Sequence, residues 1–264
     1  YQKLENGSLY NAAGLIQNNA ISVEYFKQAL PNYSVFDEKR YFTSGDQPVV
    51  FDFRGTRFGI TICEDVWEDE PLSKTAEAGA KVILNLNASP FDSNKSLRRE
   101  LLLTRQAANN NVAIVYSNLV GGQDELVFDG GSLVVNNQGI IIQKSPYFEE
   151  SSLTIDASEL QQEPASLTHE TSSPPLNEIS LVHDALVLGI RDYVRKNGFE
   201  GAILGLSGGI DSALVLALAV EALGSDKVEV VAMPSRYTSD MSNEDALKQA
   251  VNLGVKHAVL PIEK

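Results

Sequence analysis

The run Gly205-Leu206-Ser207-Gly208-Gly209-Ile210-Asp211-Ser212-Ala213 is the most chemically informative stretch of the chain. Gly201 to Leu206 is short and apolar like a buried strand, and Ser212 to Leu223 repeats apolar residues at helical spacing. The two glycines therefore fall at a strand-to-helix junction. Glycine there permits positive φ and close backbone approach, and a helix beginning near Asp211 points its free N–H groups and positive dipole end at the same place. Such a junction cradles phosphate. It has neither the Lys-Ser or Lys-Thr pair of a Walker loop nor a G-x-G-x-x-G pattern. The competing reading is a glycine turn that holds nothing, and the order Ser207, Gly208, Gly209, Asp211, Ser212 in a strand–loop–helix setting favours the phosphate site.

A second candidate is Cys63, the single cysteine, which ends a predicted strand and precedes Glu64, Asp65, Val66 and Trp67. A lone cysteine is commonly a small buried hydrophobe. At a strand terminus of an α/β domain, however, side chains reach a ligand crevice, and a thiol among carboxylates needs a cation or base to become a thiolate. The three histidines, His169, His183 and His257, all lie in the linker or beyond it, which excludes a Cys-His hydrolase confined to the first half. Lys27 follows another predicted strand end, just before Ala29-Leu30-Pro31-Asn32-Tyr33, and is the candidate partner. From position alone it reads rather as an ordinary solvated lysine.

The elements that must position these residues are α/β throughout. Predicted strands over Ile21 to Phe26, Val49 to Phe53, Phe58 to Cys63, Val82 to Asn87, Val112 to Ser117, Ser132 to Val135 and Ile140 to Gln143 alternate in part with helices near Leu72 to Ala78 and Leu97 to Asn109. From Ala157 to Glu178 the chain turns to Glu, Ser, Thr, Pro and Gln, the composition of a linker. Beyond it, Ile179, Val182, Leu186, Ile190 and Val194 share one helical face, with Gly198 at the C-terminal cap. Strand, phosphate loop, helix, strand Val228 to Met233, a helix opened by Ser242 with Asp245, and strand Ala258 to Ile262 make a βαβαβ unit.

The domains are thus expected at 1–156 and 179–264, joined by 157–178. The 264 residues suffice for two cores, and 35 acidic against 21 basic residues, a net charge of −14, disfavour nucleic acid and anionic membrane as partners. With no membrane-length apolar run and no leader, the expected location is cytoplasmic. A single cysteine leaves no internal disulfide. The opening at Tyr1 and the stop just after a strand suggest a fragment.

Lys27 in Lys27-Gln28-Ala29-Leu30-Pro31-Asn32-Tyr33 and Cys63 in Ile62-Cys63-Glu64-Asp65 resemble the lysine and nucleophile of the nitrilase, or carbon–nitrogen hydrolase, superfamily, whose members use a Glu-Lys-Cys triad. The likeness continues through Val35 to Phe42, Asn87 to Phe91 and Tyr116 to Glu125. The downstream loop resembles the SGGxDS loop of ATP pyrophosphatases. Together they resemble the central part of the glutamine-dependent NAD synthetase family. The implied fold is an incomplete nitrilase-like α-β-β-α layered domain, followed by part of a doubly wound parallel-sheet ATP pyrophosphatase domain.

The implied chemistry is attack of Cys63 on the glutamine side-chain amide, with Lys27 and the Glu64 N–H stabilising the oxyanion. The ammonia then aminates an adenylated deamido-NAD. Tyr33, Glu64, Trp67, Ser89 and Lys95 match positions around glutamine, Ser89 and Lys95 suiting its α-carboxylate and Glu64 its ammonium. Gly205, Leu206, Ser207, Gly208, Gly209, Ile210, Ser212 and Met233 match ATP-binding positions, and Asp211 is either a Mg²⁺ ligand or a helix cap. The family's catalytic glutamate lies upstream of this sequence, and Glu5 and Glu24 are not expected to replace it, so this chain alone is expected to be a poor glutaminase. As a full-length protein a homo-oligomer is expected. The rival readings are another ATP pyrophosphatase amidotransferase, set apart by its different glutaminase type, and an ATP-binding fragment without catalysis.

Overall fold

The computed structural model describes residues 1–156, 160 and 177–262. Two compact units emerge, one of residues 1–120 and 129–174, the other of residues 121–128 and 175–264. Of the expected 157–178 linker, only Leu160, Asn177 and Glu178 lie among the described residues.

The first unit opens with an antiparallel meander of β1 (Gln2–Glu5), β2 (Ser8–Gln17) and β3 (Ala20–Phe26). The sequence reading found only β3, because Ser8 to Gln17 contains Asn11, Ala12, Ala13 and Gly14 and has neither strong β propensity nor clean alternation. Pairing on both sides, to β1 and to β3, makes it a strand.

A six-stranded sheet follows, in the order β11 (Ile141–Lys144), β10 (Leu133–Val135), β7 (Ala113–Asn118), β6 (Val82–Asn87), β5 (Thr56–Ile62), β4 (Val50–Phe53). The central β5, β6 and β7 are parallel, joined through α1 (Asp69–Glu77) and α2 (Lys95–Asn110). One face is buried under these helices by Leu72, Ile83, Leu103, Ala107, Ile114 and Val135. The other packs Val82, Ala113, Val134, Ile142 and Leu160. Because the parallel strands end together at Ile62, Asn87 and Asn118, the segments that follow them gather at one edge.

The second unit is a parallel sheet of β12 (Ala202–Gly205), β13 (Val228–Ala232) and β14 (Lys256–Val259), connected by α4 (Ile210–Leu223) and α5 (Asp240–Leu253) and preceded by α3 (Glu178–Lys196). Its core joins Leu206, Leu216, Ala219, Val228, Val230, Ala246 and Ala250. The opposite sheet face carries exposed Ile203 and the Glu229–Lys256 ion pair.

Three expectations need correction here. On α3 the buried residues are Leu181, Ala185 and Leu188, with Ile190 and Val194 partly covered, while Ile179, Val182 and Leu186 are exposed: this helix is apolar on more than one side, and contact with α4 selects the face. Helix α5 is capped by Ser239, whose hydroxyl accepts from Ser242 N at 3.1 Å, so Ser242 lies inside the helix. Strand β14 lies earlier than Ala258 to Ile262 because pairing with β13 begins at Lys256, and Pro261 has no N–H with which to continue it.

Besides β1 and β2, one further hairpin was not anticipated. The hairpin of β8 (Val120–Gln123) and β9 (Leu126–Asp129) falls in sequence between β7 and β10, yet its residues 121–128 belong to the second unit. There the Gly122 amide donates to Asp192 at 2.9 Å and its carbonyl accepts from Lys196 at 2.7 Å. A Cβ on Gly122 would come within 3.1 Å of Gly189 Cα, so two glycines permit this close approach.

Candidate functional site

Cys63 does not end a strand. It begins a single 3-10 turn, Cys63–Val66, directly after β5, with φ +45°, a conformation that costs a non-glycine residue energy and that the surroundings must enforce. The enforcing group is Asp65, fully buried. One of its oxygens accepts from Ile62 N at 2.8 Å and from the Tyr25 hydroxyl at 2.8 Å, and the other from Gln28 N at 3.0 Å and Ala29 N at 2.7 Å. A single carboxylate thus ties the strand end before Cys63 to residues on both sides of Lys27.

Lys27 is no solvated lysine: it is 2% exposed, and its Nζ donates to Glu38 Oε1 at 2.6 Å. Glu24, by contrast, pairs with Lys3, and no ion pair or hydrogen bond joins it to Lys27 among the described residues. Lys27, Glu38, Phe36 and Cys63 line one cavity of roughly 760 Å³. Burial pushes the Cys63 thiol up, the Lys27 and Lys95 charges pull it down, and Glu64 and Glu38 push it up again. The net direction is upward, burial outweighing the two lysines.

The remaining predicted residues are distributed around this centre. The Tyr33 hydroxyl donates to Glu64 at 2.8 Å, and burial together with that carboxylate raises its pKa. Both residues line a separate cavity with Lys39 and Glu68. Lys95 opens α2, with its Nζ 5.9 Å from the Phe36 ring centroid and 6.0 Å from that of Trp67; burial lowers its pKa. Phe36 thereby links Lys95 to the thiol cavity. Ser89 is buried, with its N–H on Asn118 Oδ1 at 2.9 Å.

Sequence reasoning missed Glu38 and Asp65 as site residues. Glu38 sits among Asp37, Lys39 and Arg40 and reads as part of a solvated charged turn. Asp65 was quoted only as a neighbour of Cys63. The signal for both was their place inside the matched segments.

In the second unit, Gly209 is the N-cap of α4 and Asp211 an exposed first-turn residue, so the cap alternative for Asp211 is set aside. Only one of the two loop glycines has positive φ, Gly208 at +80°, and a Cβ there would lie 2.1 Å from Ser242 O. The loop bonds to itself: the Ser207 and Ser212 hydroxyls are 3.0 Å apart, Gly209 N donates to Ser207 Oγ at 3.2 Å, and Ser212 Oγ donates to Gly209 O at 3.0 Å. Met233 follows β13, and a Cβ on Gly205 would lie 3.2 Å from its Cε, which places that side chain beside the strand that feeds the loop. Leu206 is buried in the core and Ile210 exposed. Among the described residues, no helix is long and apolar enough to cross a membrane.

Comparison with known proteins finds two family segments in the chain. Residues 182–264 match the NAD synthase family model. The chain is 43% identical over 258 residues to a glutamine-dependent NAD(+) synthetase of Acinetobacter baylyi, covering 98% of this chain and 47% of that protein. It is 44% identical to that of Synechocystis sp., covering 96% and 47%. Among solved structures it resembles the Acinetobacter baumannii glutamine-dependent NAD+ synthetase in complex with ADP, with a TM-score of 0.91, 40% identity, and all of this chain against 50% of that one. The chain spans about half the length of the curated relatives it matches. With residues 1–164 matching the carbon–nitrogen hydrolase model, the chain belongs to the carbon–nitrogen hydrolase family and continues into an NAD synthase segment.

Proposed function

We propose that this chain carries the nitrogen-releasing thiol and the nucleotide loop of a glutamine-dependent, ATP-driven ligase that converts deamido-NAD to NAD. The observation that supports it most is the shared cavity of Cys63 and Lys27, held in place by Asp65, in the same chain as the Ser207–Ser212 loop. Cys63 Sγ attacks the side-chain amide carbon of glutamine. The tetrahedral oxyanion is held by Lys27 and the Glu64 N–H, the C–N bond breaks with protonation of nitrogen, and ammonia leaves a thioester that water cleaves to glutamate. Glu38, in contact with Lys27, fixes the amine's position and supplies a carboxylate beside it. Tyr33, Glu64, Trp67, Ser89 and Lys95 surround the amino-acid end, Ser89 and Lys95 taking its carboxylate.

At the second site the nicotinate carboxylate of deamido-NAD attacks ATP, releasing pyrophosphate. Ammonia then displaces AMP to give the amide. Ser207, Gly208, Gly209 and Ser212 exchange their mutual hydrogen bonds for phosphate oxygens, and Met233 lies along the base. A Mg²⁺ ion at a nucleotide needs one or two protein carboxylates. Asp211, an exposed carboxylate in the first turn of α4 beside the loop, would supply one of them. Bound there, the ion would neutralise phosphate charge. A cytoplasmic location and a homo-oligomeric full-length protein belong to the same reading.

The test uses a polypeptide extended to the relatives' full length. Ammonia release from glutamine, trapping of a glutamine-analogue electrophile on Cys63, and ATP-dependent amide formation on deamido-NAD are expected. Trapping without any amidation, or amidation of a different carboxylate, would refute the assignment.

A further inference from the structure

On the helix-covered face of the six-stranded sheet lies a buried polar cluster of which the proposed reaction uses only Ser89. Tyr116 on β7 and Ser89 after β6 are each 1% exposed, and neither hydroxyl has a hydrogen-bond partner among the described residues. Their surroundings are tightly tied. Arg99 pairs with Asp129 at 3.1 Å and lies 5.4 Å from the Tyr116 ring centroid. Asn118 accepts from Ser89 N at 2.9 Å and donates to Ser89 O at 3.4 Å, to Asp129 at 3.1 Å and to Gly130 O at 3.0 Å. The Ser89 backbone is therefore clamped while its buried hydroxyl has no partner among the described residues.

An unpaired hydroxyl in a protein interior costs stability, and phenylalanine would fill the Tyr116 position without that cost. The two hydroxyls are close enough to perturb one another but do not meet hydrogen-bond geometry, and Tyr116 also lies within the electrostatic reach of Cys63. A ligand that docks here would supply the partners they lack among the described residues. The proposed reaction supplies one beside Ser89, the α-carboxylate of the amino-acid substrate.

We propose that Tyr116 is a positioning residue for the amide substrate and acts through Ser89. When the carboxylate docks at Ser89 and Lys95, the Tyr116 hydroxyl donates to Ser89 Oγ, and the Ser89 proton is turned onto the carboxylate. This rests on the glutamine-hydrolysing reading above.

The experiment is steady-state ammonia release from glutamine by the polypeptide extended to the relatives' length. Tyr116→Phe is expected to raise KM for glutamine about tenfold, the worth of one hydrogen bond, with kcat changed by less than about twofold. Ser89→Ala should do the same, and the double variant should be no worse than Ser89→Ala alone. Hydrolysis of propionamide, which has no α-carboxylate, should not distinguish Tyr116→Phe from the parent. A Tyr116→Phe chain with unchanged KM, or with an effect that multiplies that of Ser89→Ala, overturns the proposal. So does a lower melting temperature for Tyr116→Phe, because it would show that the hydroxyl is satisfied in the free protein. A parent chain that releases no ammonia would instead bring down the functional reading, and this proposal with it.

Discussion

The two chemical sites of this chain are built in opposite ways. Around Cys63 the working groups come from separate stretches, Tyr25 to Ala29, Phe36 to Glu38, Ile62 to Asp65 and Lys95, and are assembled by buried side chains. Around Gly208 everything lies within six consecutive residues, the donors are backbone N–H groups and small hydroxyls, and the loop is exposed. One centre is organised before substrate arrives. The other is closed on its own hydrogen bonds, which phosphate would have to displace under the proposed function. Long-range assembly suits chemistry that needs a fixed nucleophile, and local assembly suits recognition of a mobile, multiply charged ligand.

That contrast can be broken most severely at the thiol. Cys63→Ala in the full-length polypeptide should cut ammonia release by at least about a thousandfold while leaving ATP binding intact. If calorimetry showed ATP binding lost as well, the sites would not be separately assembled. Next comes Asp65→Asn, which offers one acceptor oxygen and a misplaced NH₂ to four donors. The first unit should lose roughly 3 kcal/mol, read by urea unfolding through Trp67, the only tryptophan.

In the loop, Gly208→Ala should destabilise the second unit by about 2 kcal/mol or more, since both φ and the Ser242 backbone forbid a Cβ. Gly209→Ala has φ −86° and a nearest atom at 3.3 Å, so it should cost far less. Equal depression of the two melts would show that the positive φ and the Ser242 backbone do not set Gly208 apart.

Two pH effects sharpen the comparison. Burial holds the Cys63 thiol above its ordinary range and Lys27 opposes this. Alkylation by iodoacetamide should therefore keep rising as the pH passes the ordinary thiol value, and Lys27→Met should move that rise to still higher pH. The smallest effect belongs to His183, whose ring bonds Asp184 on α3 and Glu221 on α4, each at 3.0 Å, and whose pKa is raised above 6.5 by those partners. Its stabilisation is complete below pH 6.5 and disappears as pH rises through the raised value. A His183→Gln melt should lose that dependence, by tenths of a degree to a few degrees, because the pair is exposed.

The same contrast governs what could be read from the sequence. The loop was legible because glycine, serine and helix periodicity act over neighbouring residues. The central strands and α2 were legible for a similar reason, as apolar runs bounded by polar turns. Lys27 and Cys63 emerged as candidates from their places at strand ends, but Glu38 did not, since an ion pair to a buried amine leaves no trace in spacing. Strand β2 was hidden by its alanines and glycine, and β8 by its two glycines, because pairing, with β1 and β3 for the one and with β9 for the other, rather than intrinsic preference makes them strands. The face of α3 was misjudged where two apolar stripes compete.

The grip of Asp192 and Lys196 on the Gly122 amide carries a lesson for anyone dissecting this polypeptide. A protein cut at the proline-rich stretch would give a C-terminal piece stripped of eight residues that its own first helix packs against, with an aspartate left without its peptide partner and a glycine-lined furrow open to water. Recombination that respects sequence modules would thus violate structural ones. Only a graft that brings the upstream hairpin along would yield a well-behaved second unit.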